Sequence, residues 1–175
     1  TENLDNSGEI LTNEKLSTKN LDNKSTGKIN TGNGISTSGN VVNQGTMNTN
    51  GDLTVTGNFE NNNTVNAGGT LTAKDVVNTG ALKISDKIVS RGTVFTNSGE
   101  ILTENLDVDV SGNIINSNKI IVLDNARIKG DNINNQNYIS VTNMELITLN
   151  LTNSGTLAAD EVLKANNAFI NNMGY

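Results

Sequence analysis

Apolar and polar positions recur along this chain in a fixed order. An apolar residue is followed two places later by Asn, two later by Gly or Asn, and two later by another apolar residue. The Asn of this unit falls at Asn6, Asn23, Asn43, Asn61, Asn78, Asn97, Asn116, Asn135, Asn153 and Asn172. Nine gaps separate Asn6 from Asn172, so the mean period is (172 − 6)/9, about 18.4 residues. A repeat on this scale marks a solenoid, in which each unit packs only on its neighbours. The apolar residues before the Asn are Leu4, Leu21, Val41, Phe59, Val76, Phe95, Ile114, Ile133, Leu151 and Ile170. Those after it include Ile10, Met47, Val65, Leu82, Ile101, Ile120, Ile139 and Leu157.

Between the two apolar columns stands Gly8, Gly45, Asn63, Gly80, Gly99, Asn118, Asn137, Gly155 or Gly174. Gly and Asn enter left-handed backbone conformations at low cost, so this column is expected to be a fixed corner. Only the second unit departs, with Ser25 in that place, Gly27 two further on, and Ile29 displaced likewise. That slip predicts a local insertion after Asn23. A second apolar alternation follows about ten residues after the Asn, as in Leu53/Val55, Leu71/Ala73, Leu106/Val108/Val110, Ala126/Ile128 and Leu163/Ala165. Period-two alternation predicts strands with one buried face. A coil of this length, with two or three short strands and tight corners, closes on itself. The expected fold is therefore all-β, a parallel β-helix of about ten coils spaced roughly 4.8 Å apart. The whole of 1–175 reads as one segment, expected to be an excerpt of a longer solenoid with both caps missing.

The Asn column has a physical explanation in this stacking. An amide offers two donors and an acceptor oxygen, so identical amides one coil apart can bond in a ladder. Its expected role is structural. Composition adds little that disagrees: 34% hydrophobic and 3% aromatic residues suit a thin rod better than a globule. The chain has no Pro, in keeping with backbone donors needed at nearly every position. A net charge of −6 with scattered Lys and Arg argues against nucleic acid as a partner. No apolar run approaches a membrane span, so membrane insertion by this segment is not expected.

Candidate chemistry is sparse. There is no His and no Cys, hence no imidazole base, thiol nucleophile or zinc cluster. No catalytic, cofactor-binding or metal site is expected, and no cofactor. β-Helix enzymes acting on polysaccharides need carboxylates on adjacent coils. Asp86, Asp124 and Glu161 share an offset of eight from their Asn, but they fall in units five, seven and nine. Asp107 and Asp109 share the outward face of one strand and read as a solvated face. Phe59 and Phe95 read as core. Glycan-acceptor triplets at Asn23, Asn62 and Asn150 are of the kind that an Asn-, Ser- and Thr-rich chain produces by chance. Glu100 and Lys119 share an offset of three, which predicts an ion pair across coils, with Tyr138 covering the lysine stem.

The phrases Asn-Ser-Gly-Glu-Ile (6–10 and 97–101), Gly-Asp-Leu-Thr-Val-Thr-Gly-Asn (51–58), Asn-Ser-Gly-Thr-Leu (153–157) and Ala-Gly-Gly-Thr-Leu-Thr-Ala (67–73) resemble the filamentous haemagglutinin repeats of two-partner-secretion exoproteins. The resemblance covers essentially the whole chain. It implies a right-handed parallel β-helix, export through an outer-membrane two-partner-secretion transporter, and display at the Gram-negative cell surface. The function it suggests is a shaft presenting a receptor-binding or toxin-bearing tip, in an adhesin or a contact-dependent growth inhibition effector. Two alternatives follow from other classes. One is a binding module whose face contacts a receptor or glycan on a target cell. The other, a polysaccharide-acting enzyme, would need the adjacent carboxylates that are missing here.

Overall fold

The computed structural model describes residues 2–166 and 169–174. Among them every regular element is a β-strand, and the strands pair in parallel with the equivalent strand of the next coil. The chain is a parallel β-helix. One face is a ten-stranded sheet running from Leu4–Asn6 to Phe169–Asn172. Ten strands bound nine complete turns, with the last strand opening a tenth.

Register follows the sequence columns. Leu4 pairs with Leu21, Leu21 with Val41, Phe59 with Val76 and Phe95 with Ile114. The second apolar column stacks as Ile10–Ile29–Met47–Val65–Leu82–Ile101–Ile120–Ile139–Leu157. Ile29 takes its place in this row, so the two additional residues of coil two are absorbed at the corner after Asn23. There Gly27 N–H closes a turn onto Lys24 C=O at 2.8 Å. A single core runs along the rod axis, with Phe59 and Phe95 among its largest fully buried side chains.

The column does form a fixed corner, but its glycines do not hold it by a left-handed backbone. Among the described glycines only Gly34, at another corner, has a positive φ, 106°. Glycine serves at the first corner because consecutive coils stack so closely there. A Cβ on Gly80, Gly99 or Gly155 would fall on the carbonyl oxygen of Asn63, Gly80 or Asn137 of the coil before. Where Asn stands instead, it uses its amide: Asn63 and Asn118 donate Nδ2 to the carbonyls of Gln44 and Ser98 at 3.1 and 3.3 Å.

The rest of each coil changes character along the rod. Coils one to four carry two short strands here, such as Thr64–Ala67 and Leu71–Ala73, with a bend between them. From coil five the two fuse into one strand of 10 or 11 residues: Ala81–Ser90, Glu100–Asp109, Lys119–Lys129, Tyr138–Ile147 and Thr156–Asn166. Ala81–Ser90 pairs with both short ladders at once and joins them into a single 13-stranded sheet. The old bend survives as a register irregularity, for example between Ile84 and Lys87.

Candidate functional site

The ten Asn side chains stand in one column facing the core, and Asn23, Asn43, Asn61, Asn78, Asn97 and Asn135 are fully buried. Each Nδ2 from Asn6 to Asn153 donates to the Oδ1 of the Asn one coil further on, over 2.7–2.9 Å. The other amide hydrogen reaches backbone carbonyls, for instance Asn78 to Glu100 at 3.2 Å and Asn116 to Tyr138 at 3.1 Å. Buried amides therefore keep their partners, and the ladder points one way along the rod. Leaving such a group unpaired would cost about 1–3 kcal/mol.

Sequence reading missed three further rows. At the corner before the first face, Asn20 and Asn40 accept the backbone N–H of Asn40 and Asn58 at 2.7 and 2.9 Å. Asp75 continues the row, accepting from Thr93 N–H at 2.6 Å and Val94 N–H at 2.9 Å. Outward amides form two more ladders, Asn30–Asn48–Asn66 and Asn113–Asn132–Asn150. These rows keep the period of the main column, at 18 to 20 residues, but each runs through only a few coils.

Asp107 and Asp109 are not merely solvated. They lie under a charge network that crosses coils five to eight. Arg91 pairs closely with Asp107, and Lys87 stands 3.4 Å from the same oxygen. Arg127 lies 3.6 Å from Asp107 and 3.3 Å from Asp109, and its Nε is 3.8 Å from Glu145. Lys129 meets Asp109 at 3.0 Å. Burial pushes the Asp107 carboxyl up, but the Arg91 and Lys87 cations outweigh it and hold it below the ordinary carboxylate range. Asp109 is held low by the hydrogen bond from Lys129, against some desolvation and with help from Arg127. Counting offsets from the Asn hid this network, because Asp107 and its Cα partner Arg127 differ by one place: coil seven carries an additional bulge residue.

The same bulge explains the acids at offset eight. Asp86, Asp124 and Glu161 sit where coils five, seven and nine hold one more residue than coils six and eight. They project from alternate coils and do not meet. Among the described residues no group of three or more Asp or Glu is placed to hold a metal. Glu100, Lys119 and Tyr138 are Cα partners in sequence, as the offsets require, yet Glu100 and Lys119 form no ion pair. At one strand spacing on an open face, two long side chains gain too little to fix one geometry.

Of the acceptor triplets, Asn23 is fully buried in the ladder. Asn150 is committed to Asn132 at 2.8 Å, and exposed Asn62 donates to Glu60 at 2.7 Å. Among the described residues no helix is long and apolar enough to cross a membrane. Comparison with family models, with curated proteins and with solved structures gives no match.

Proposed function

We propose that this chain is a shaft segment of a secreted, surface-displayed filamentous exoprotein. Such a rod holds a receptor-binding or toxin-bearing tip away from the producing cell. The observation that supports this most is the unbroken Asn ladder. Nine amide–amide bonds in one direction make each coil the template for the next, so length is added without any new kind of contact. Buried, internally satisfied polar groups serve extension of the rod, and the amides from Asn6 to Asn153 are spent on their neighbours. The resemblance to filamentous haemagglutinin repeats supplies the setting: export through an outer-membrane partner pore and folding outside.

The test is where the chain is found and how it scales. Antibodies against residues 1–175 should label intact producing cells, and removing residues 97–115, one whole coil, should leave a folded rod shorter by about 4.8 Å. Labelling that requires permeabilised cells would overturn the reading, and so would collapse of the shortened rod.

A further inference from the structure

The third corner, which returns the chain to the first face, lengthens along the rod. Two residues, Lys74 and Asp75, separate inward Ala73 from Val76 in coil four; five, Asp109 to Asn113, separate Val108 from Ile114 in coil six. This step leaves a groove of about 420 Å³ across coils five to eight, within the roughly 300–1,000 Å³ usual for small-ligand sites. Gly92 and Gly130 contribute no side chain to it, and Val110, Ile147 and Leu149 give it an aliphatic wall. Backbone bonds fix the order of groups at this corner. Asp131 N–H donates to Gly112 C=O at 2.8 Å, and Leu149 N–H to Asp131 C=O at 3.1 Å. Gly112, Asp131 and Leu149 thus stack on successive coils, with Ser111 one residue before Gly112: a hydroxyl beside the row, then a carboxylate and an isobutyl group.

The charges of the lining are unequal. Asp109 and Lys129 are paired at 3.0 Å and neutralise each other. Asp131 is exposed, and among the described residues its carboxylate has no hydrogen bond or ion pair. Leu149 beside it is 62% exposed and continues the aliphatic wall to the surface. An unpaired carboxylate next to an aliphatic wall matches a cation on a hydrocarbon stem. The lining holds no aromatic ring for a sugar face, and an anion would meet the uncompensated carboxylate.

We propose that this groove binds an alkylammonium group, its nitrogen on Asp131 and Ser111 and its methylenes over Leu149 and Ile147. The group can come from a lysine side chain of a partner protein or from a free polyamine. The test is titration of the whole chain with blocked lysine (N-acetyl-lysine methylamide), its uncharged isostere blocked norleucine, and 1,5-diaminopentane, followed by amide chemical shifts. Blocked lysine and the diamine should move the signals of Ser111, Asp131 and Leu149, and norleucine should bind about tenfold more weakly or not at all. Asp131→Asn should weaken both amines by about tenfold with an otherwise unchanged spectrum; Leu149→Ser should weaken them with the charge intact. Tighter binding by blocked lysine points to a protein source, and tighter binding by the diamine to a polyamine. Equal binding of lysine and norleucine, or no change in either variant, would overturn the proposal.

Discussion

Coils one to four and coils five to nine solve the same problem with different residues. Both must carry the chain from the second apolar column to the third. In the first group the segment between them is Asn13-Glu14-Lys15, Gly32-Asn33-Gly34, Asn50-Gly51-Asp52 and Gly68-Gly69-Thr70. In coil five it is equally long, Ser85-Asp86-Lys87, yet it stays within one strand as an irregularity. Length does not decide the outcome, and glycine accompanies the break in coils two to four, whereas coil one breaks at Asn13-Glu14-Lys15 without it. In coil five the chain keeps extended geometry and tolerates an unpaired residue, as a bulge does. With glycine, as at Gly34 with its positive φ, the strand breaks and the face bends. The glycine-poor half then becomes a broad sheet, and a broad sheet gives charged side chains a surface on which to meet across coils.

The largest expected effect comes from burying a charge at one level of each half. Val55 and Val108 both face the core, 2% and 0% exposed. Val55→Asp and Val108→Asp should each cost about 3–5 kcal/mol. Native-state hydrogen exchange should show the first opening a few short strands, and the second spreading along the 10- and 11-residue strands of coils five to seven. Equal, chain-wide loosening in both would erase the distinction between the halves.

A middle-sized effect tests the corners. Gly34→Ala would hold a Cβ 2.6 Å from the Asp52 carbonyl oxygen at φ 106°, and should cost about 1–3 kcal/mol. Asn105→Ala, at the corresponding place in coil six, should change stability by less than about 0.5 kcal/mol. Chemical denaturation of the two variants checks this, and similar losses would show that the bend matters in both halves.

The smallest effect belongs to the charge network, present only in the second half. Asp107 and Asp109 have folded-state pKa values below their unfolded ones. Their contribution is therefore present above the unfolded value, about 3.9, and is lost as pH falls through the folded one. Each pair contributes about 0.2–1 kcal/mol, so Asp107→Asn should weaken coils five to eight slightly at neutral pH and remove part of their acid sensitivity. Exchange rates that change in coils one to four instead would contradict the placement.

The columns were legible in the sequence because a solenoid writes its contacts at a constant spacing. Leu4 to Ile170 and Asn6 to Asn172 could be read off without any long-range inference. What stayed hidden was whatever depends on a residue more or less within a coil. One additional residue at Leu123–Asp124 moves Arg127 under Asp107, which an offset count places one step away. The reason for glycine at the first corner stayed hidden on other grounds: composition shows that glycine is needed, but not whether a dihedral or a close approach requires it. The groove at Asp131 was invisible, because it arises from a difference in corner length between coils that are each unremarkable alone.

The one-way Asn ladder has a kinetic meaning as well. Its bonds join residues 17 to 20 apart, whichever coil they belong to. The loop closed by each new coil therefore has the same entropy cost, which grows only with the logarithm of loop length. As coils are added, the mean separation of contacting residues stays fixed while the chain lengthens, so relative contact order falls. Assembly becomes a zipper: one coil is difficult to nucleate, and each later one finds an amide row already presenting its donors. A rod built this way can grow by duplication of its repeat without becoming slower to complete, coil for coil.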